Sequence, residues 1–309
     1  MEQTKLFVLT GFLGAGKTTF LKRILHNLEG TKVGVIQNDL GKVNIDGELI
    51  EKDVLELREI SQGSIYCSCR KLDFVKALAE LAQRGLDYVL VESSGIGDPS
   101  NVKELLQAVE VLQPGAYRFT GLICLVDAAN FLEDSGSREE LARQVRHAHV
   151  ILLNKTDLVE PEEQEKVLAV LRELNPVAPI YSAAYGEIDM GFLQEDLRKY
   201  QYVDGEPSLN SSESKPKTLV LRTTQPMNRE KLDSFLSQLA PQCWRMKGFL
   251  PLDTGWHQVD VVGKYIDYKP CQAREQGELV IISRIGPAVI RPIIDTWKDI
   301  VGTEMTLKN

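Results

Sequence analysis

Eight residues, Gly11-Phe12-Leu13-Gly14-Ala15-Gly16-Lys17-Thr18, fit the pattern G-x-x-x-x-G-K-[ST] of a loop that wraps a polyphosphate. Gly11, Gly14 and Gly16 lack a Cβ, so the backbone can close on the phosphates. Backbone N–H groups from Gly14 to Thr19 then face negative charge at a helix start. Lys17 is expected to reach the β- and γ-phosphates, and the Thr18 hydroxyl to ligate Mg²⁺. A second signature, Asn154-Lys155-Thr156-Asp157, chooses the base. Its carboxylate can accept two hydrogen bonds from the N1–H and amino group of guanine. Adenine lacks that donor pair and would leave the acid unpaired, so GTP and GDP are the expected ligands. Asn154 would brace the loop, Lys155 would pack on the base, and Ser182-Ala183 would add a further base contact.

Glu92 ends the apolar run Tyr88-Val89-Leu90-Val91, and Ser93-Ser94-Gly95 follows it. An acid at such a strand tip holds Mg²⁺ directly or through water, and Gly95 lets an amide approach the γ-phosphate. The other reading of Glu92 is a cap on a local turn. Hydrolysis would rest on Lys17, with Asp39 and Glu92 the candidates for orienting the attacking water. Asp39 and Asp46 stand in a polar stretch where a first switch would lie; the alternative for both is an ordinary turn residue.

The elements that must position these residues are legible as alternating apolar runs and helical periods. Strands are expected at 5–10, 32–37, 88–92, 120–127, 149–153 and 179–181. Helices are expected at 19–28, 71–84, 101–112 and 138–146. This alternation makes residues 1–203 a doubly wound, mainly parallel α/β domain. Every motif then falls at the carboxyl end of a strand, where such sheets bind ligands. Residues 204–216 are polar and rich in Ser, Pro and Gly, and read as a linker. Residues 217–309 read as a smaller α+β domain with strands at 218–223, 244–250, 256–262 and 278–283, and helices at 229–239 and 287–300. No catalytic constellation is visible in it.

The 309 residues carry a net charge of −8, which argues against a nucleic-acid binder. No apolar run approaches membrane-spanning length. The N-terminus enters a strand too soon for a leader peptide, so a cytoplasmic protein is expected. Five cysteines, Cys67, Cys69, Cys124, Cys243 and Cys271, are an odd number that does not suit a disulfide framework. Cys124 sits inside a buried strand and reads as core. His147-x-His149 falls at a helix–strand junction, where packing or capping is the expected role.

Cys67-x-Cys69 is a different matter. In an extended segment residues i and i+2 share a face with Cα atoms about 6.5–7 Å apart. Two thiolates so placed can meet one tetrahedral ion at metal–sulfur distances near ~2.3 Å. Soft sulfur favours Zn²⁺ or another transition metal over Mg²⁺. The remaining ligands would come from Ser64, Tyr66, a second subunit, a partner or water. A buried non-ligand pair and a redox-sensitive pair are the alternatives.

The arrangement resembles the CobW-like metallochaperone P-loop GTPases, relatives of the GTPases that help load nickel into urease and hydrogenase. The resemblance covers nearly the whole chain. It rests on Gly11–Thr18, Asn38-Asp39-Leu40-Gly41, Glu92-Ser-Ser-Gly95-Ile-Gly-Asp98-Pro99, Val126-Asp127-Ala128, Asn154–Asp157 and Arg245-Met-Lys247-Gly248-Phe249. It implies GTP and Mg²⁺ binding, slow hydrolysis, homodimer formation, and delivery of a metal or metallocofactor to a client protein. The family signature is Cys-x-Cys-Cys, and here Ser64, Tyr66 and Cys67 stand at its three positions, with Cys69 added beyond. The family's usual Glu is Asp39. Metal delivery is therefore set beside a second expectation, a GTP-dependent activator or adaptor of a cofactor-containing enzyme such as a corrinoid protein, carrying no metal of its own. A small-molecule kinase is a third reading, which the guanine-selecting motif opposes.

Overall fold

The computed structural model describes residues 3–38, 56–60, 64–66, 70–135, 139–203, 206–210 and 216–308. Asp39, Asp46, Cys67 and Cys69 lie outside the described residues. These fall into two compact units, one reaching residue 210 and one starting at residue 216.

The first unit runs β1 (Thr4–Gly11), α1 (Lys17–Asn27), β2 (Val33–Asn38), β3 (Glu56–Ile60), α2 (Lys71–Leu81), β4 (Tyr88–Glu92) and α3 (Val102–Leu112). It continues with β5 (Tyr117–Asp127), α4 (Phe131–Ser135), α5 (Glu139–Arg146), β6 (Val150–Asn154), α6 (Pro161–Leu174) and β7 (Ile180–Ser182). The seven strands are parallel, in the order β3-β2-β4-β1-β5-β6-β7. Strands covered on both faces read as unbroken apolar runs, and Leu6-Phe7-Val8-Leu9, Val89-Leu90-Val91 and Ile151-Leu152-Leu153 are all fully buried. From β1 the chain goes to β2 and β3 on one flank. It returns to β4 beside β1, then passes to β5 on the other flank. That reversal opens a crevice at the carboxyl end of β1.

Three elements of this unit were not legible as periods, the five-residue α4 among them. β3 reads Glu-Leu-Arg-Glu-Ile, an edge strand in which three of five residues are charged. α6 buries only Val167 and Leu171, a stripe too sparse to stand out, and starts at Pro161.

The second unit runs β8 (Thr218–Thr223), α7 (Arg229–Leu239), β9 (Cys243–Leu252), β10 (Gly255–Val262), β11 (Tyr265–Pro270), β12 (Gly277–Ser283), α8 (Ile290–Thr296) and β13 (Thr306–Lys308). Its sheet is antiparallel in the order β11-β10-β9-β12-β8-β13. α7 is capped by Asn228, whose side chain accepts from Glu230 N and Lys231 N. Phe235 of α7 meets Trp297 edge-on, 4.9 Å between ring centres, in the core of this unit. The helix expected at 287–300 is present as a continuous helical run that changes type: a 3-10 turn at Gly286–Val289, then α8, then a π turn at Trp297–Val301 that stops at Gly302, φ 74°. Arg245 makes a two-pronged ion pair with Asp260 at 2.9 and 2.7 Å, so this basic residue is satisfied within its own sheet. Among the described residues no helix is long and apolar enough to cross a membrane.

His147 and His149 have the structural roles expected of them. His149 is 4% exposed. Its Nδ1 accepts from Leu122 N at 3.0 Å and its ring meets Phe119 edge-on. Burial pushes its pKa down to about 4. Burial also lowers His147, outweighing nearby Asp98 and Glu206. The sign for His149 follows. Below its unfolded pKa near ~6.5 the unfolded chain takes a proton that the folded chain refuses. Its contribution is therefore complete above that pH and is lost as pH falls towards 4. Urea unfolding at pH 7 and pH 4.5 should show a loss of about 2–3 kcal/mol from this group. His149→Asn should lose correspondingly less over the same interval.

Candidate nucleotide site

The phosphate loop leaves β1 at Gly11 and enters α1 at Lys17. Its glycines are obligatory for two distinct reasons. At Gly11, φ 134°, a Cβ would lie 2.2 Å from Leu125 O of the neighbouring strand. At Gly16, φ 100°, it would lie 2.4 Å from Asn154 Nδ2. Lys17 is buried and bends back over the loop, donating to Gly11 O at 2.8 Å and Phe12 O at 3.1 Å. The ammonium is thus held by two carbonyl oxygens of its own loop.

Thr18 projects towards the tip of β4, where its hydroxyl donates to Glu92 Oε1 at 2.8 Å. Gln37 is the residue paired with Glu92 across β2 and β4, and its Nε2 donates to Glu92 Oε2 at 3.0 Å. A buried carboxylate is expensive unless its lone pairs are met, and these two donors meet one on each oxygen. The described bonds of Glu92 reach the phosphate loop and the adjacent strand. Sequence reasoning missed Gln37, although its position just before Asn38 at the end of a strand was a signal for it.

The guanine-type loop follows β6. Asn154 is buried, donates from Nδ2 to Ala15 O at 2.9 Å and accepts at Oδ1 from Gly186 N at 2.9 Å. Lys155 adopts the left-handed conformation, φ 63°, and its Nζ pairs with Asp127 Oδ2 at 2.6 Å. Asp127, at the tip of β5, also accepts from Ala129 N and Asn130 Nδ2. Thr156 bonds Ala183 O through both its N–H, 3.1 Å, and its hydroxyl, 3.0 Å. Asp157 and Ser182 are exposed, Ala183 is buried, and Ser182 accepts from Gln164 Nε2 at 3.2 Å. The phosphate loop, the Asn154–Asp157 loop and the Ser182–Gly186 loop are therefore one hydrogen-bonded assembly.

The loop after β4 lies on the phosphate loop: a Cβ on Gly95 would sit 2.7 Å from Leu13 N. Gln144 of α5 holds it from behind, donating to Gly95 O and Gly97 O at 3.2 and 2.9 Å. Asp98 and Arg143 form a buried ion pair at 2.9 Å. Asp98 also accepts from Leu209 N at 2.8 Å, and Asn210 bonds its N–H and carbonyl at 3.1 and 2.7 Å. Arg143 further pairs with Glu206 at 2.9 Å. Residues 206–210, linker by composition, are thus fastened to the first unit. Asp98, Arg143 and Gln144 were not among the residues expected to matter, since an ion pair between a loop and a distant helix leaves no local pattern.

Asn38, the last residue of β2, accepts from both Ile65 N at 2.9 Å and Ser94 N at 3.2 Å and donates to Ile60 O at 2.9 Å. Tyr66 is 1% exposed, and burial drives its phenol well above the usual range. Among the described residues no group of three or more His, Cys, Asp or Glu side chains is placed to hold a metal ion. Cys124 and Cys243 are buried, with thiols pushed up to about 12 by desolvation.

Comparison with known proteins adds the following. Residues 5–182 match the CobW/HypB/UreG nucleotide-binding domain, and residues 217–292 match the cobalamin synthesis protein cobW C-terminal domain. The zinc chaperone YjiA of Escherichia coli is 36% identical over 199 residues, covering 62% of this chain and 61% of YjiA. The zinc-regulated GTPase metalloprotein activator 1 of Dictyostelium discoideum is 28% identical over 300 residues, 80% of this chain and 63% of that protein. The chain thus spans about three-fifths of the length of these two curated relatives, at 61% and 63%. The crystal structure of zinc-bound YjiA GTPase from E. coli aligns with 97% of this chain and 99% of that one, at 24% identity and a TM-score of 0.48.

The geometry yields a stability test. Asn154→Ala strands a buried carbonyl at Ala15 and a buried N–H at Gly186. Chemical denaturation should show a loss of about 2–4 kcal/mol, with Asn154→Asp recovering only the Gly186 bond.

Proposed function

The chain belongs to the CobW/HypB/UreG family, and from that membership we propose that it binds GTP, hydrolyses it to GDP and phosphate, and uses the cycle to govern delivery of a metal ion, zinc first, to a client metalloprotein. The observation that carries this reading is the Asn154 bridge. It joins the phosphate loop to the two loops suited to a guanine base, at one end of one sheet. Only a ligand with a polyphosphate at one end and a base at the other uses both.

In this reading Gly11, Gly14, Ala15, Gly16, Thr18 and Thr19 present the phosphate cradle. Lys17 moves its ammonium from loop carbonyls to the β- and γ-phosphates. Asp157, with Lys155, Ser182 and Ala183, holds the base. Thr18 and Glu92 offer hard oxygen donors 2.8 Å apart, a donor set that suits Mg²⁺. That ion, when bound, supplies charge neutralisation on the phosphate oxygens. Gly95, held against Leu13, is the amide nearest in the chain to a terminal phosphate. Glu92 is already engaged by Thr18 and Gln37, which leaves the orientation of water to Asp39.

Zinc enters through the names of the two relatives, and Cys67 with Cys69 is the proposed seat of the ion. The adaptor reading is kept because of Tyr66. It is a buried aromatic at a position where the family signature has cysteine, so the usual three-thiol site is not rebuilt from the same positions.

Lys17→Ala should lower kcat for GTP at least about 10²–10³-fold in a phosphate-release assay. Asp157→Ala should erase most of the preference for GTP over ATP; continued exclusion of ATP by that variant would remove the base assignment. For the metal, anaerobic titration of reduced protein with Zn²⁺, Co²⁺ and Ni²⁺ should give binding that depends on a non-hydrolysable GTP analogue and is lost in Cys67→Ser and Cys69→Ser. Binding indifferent to both cysteines would leave the adaptor reading standing.

A further inference from the structure

Three stretches of chain converge on one buried side chain. Asn38 is 4% exposed and closes β2. Its single carboxamide oxygen has two lone pairs, and both face backbone donors: Ile65 N at 2.9 Å and Ser94 N at 3.2 Å. Its amide donates to Ile60 O at the end of β3. Ser94 belongs to the loop that lies on the phosphate loop. Ile65 belongs to segment 64–66, which runs directly into Cys67.

Two further contacts tie the same two stretches. Asn101 Nδ2 donates to Tyr66 O at 2.9 Å. The Tyr66 ring lies where a Cβ on Gly97 would approach it to 2.6 Å, so glycine is what lets the ring seat against the loop. Segment 64–66 is therefore joined to residues 94–101 at three points, one of them a shared acceptor. A buried N–H that leaves such an acceptor must be re-satisfied or costs about 1–3 kcal/mol. Displacing the loop at Ser94 alone would also disturb the oxygen that Ile65 uses.

We propose that Asn38 is a positioning residue that makes the terminal-phosphate loop and the stretch leading into the cysteine pair change state together, so that the nucleotide sets the state of Cys67 and Cys69. This rests on the GTPase reading above.

The test uses the full chain, with GDP or a non-hydrolysable GTP analogue, and reads two quantities. The first is amide exchange at Ser94 and Ile65 in the unaltered protein: a nucleotide-dependent change in protection at one must appear at the other. The second is the labelling rate of Cys67 and Cys69 by a thiol reagent, resolved by peptide mass. The unaltered protein should show a difference between the GDP and analogue states. Asn38→Asp keeps both acceptor bonds and should keep that difference. Asn38→Ala should lose it by about tenfold, as expected when one to two hydrogen bonds cease to couple, while still binding the analogue. Gly97→Ala, which crowds the Tyr66 ring, should weaken it independently. Coupling retained in Asn38→Ala, or protection at Ser94 that shifts without Ile65, overturns the proposal while leaving the GTPase reading intact. Failure of the unaltered protein to bind guanine nucleotides overturns both.

Discussion

The hydrogen bond from Asn154 to the Ala15 carbonyl is the contact on which the arrangement of the candidate site depends. A phosphate loop must expose its amides to the ligand, so its carbonyls turn inward and need partners there. At Ala15 the partner is a side chain from β6, the fifth strand after β1 in sequence but two places from it in the sheet. A carboxamide suits this place, because it donates to Ala15 through its nitrogen and accepts from Gly186 at its oxygen. The requirement propagates to Gly16. A Cβ there would meet the Asn154 amide at 2.4 Å, so that glycine satisfies the loop's left-handed turn and the approach of the bracing side chain at once. Phosphate end and base end are thereby fixed relative to each other by one buried contact.

The charges in the crevice are handled in two ways. Glu92 is met by neutral donors, Thr18 and Gln37. Its two oxygens are hard donors of the kind a hard cation uses. Asp98, six residues on, is instead neutralised by Arg143 and wrapped by the backbone of residue 209 and the side chain of Asn210. Breaking a buried pair by removing one partner costs several kcal/mol, about 3–5. The loop between the two acids is therefore anchored at its far end and pinned on its near end only through neutral hydrogen bonds. Ser93 to Gly97 is where a change at the phosphate site can be absorbed.

Much of this was legible in the sequence, and the reasons differ by residue. Gly11–Thr18 and Asn154–Asp157 are contiguous, so their chemistry is written in adjacent letters; the core strands are unbroken apolar runs. The parallel sheet and the small second domain followed from those periods. β3, β11 and β13 were missed because edge and rim strands are polar on their open sides. α6 was missed because it buries two residues. Asp98, Arg143 and Gln144 could not be found by spacing: each works through a partner from a distant segment, and nothing near it in sequence announces the partner. Asn38 was quoted only as part of a motif, and its three bonds reach residues 60, 65 and 94.

Tyr66 explains why the altered cysteine motif is more than a list of substitutions. A cysteine at this position would be small and able to turn towards a metal. Tyrosine is several times larger, and it is accommodated by burying its ring against Gly97, which has no Cβ to obstruct it. Ser64 is buried beside it, its Oγ accepting from Tyr66 N at 3.3 Å. Two of the three signature positions have thus become part of the packing between segment 64–66 and the loop after β4. They offer no sulfur, and Tyr66 ties the segment to residues 97–101 through its ring against Gly97 and its carbonyl to Asn101. Any ligand role left to the motif falls to Cys67 and Cys69, which follow in the sequence. The substitution exchanges donor atoms for mechanical connection, and the two cysteines follow directly on the anchored segment.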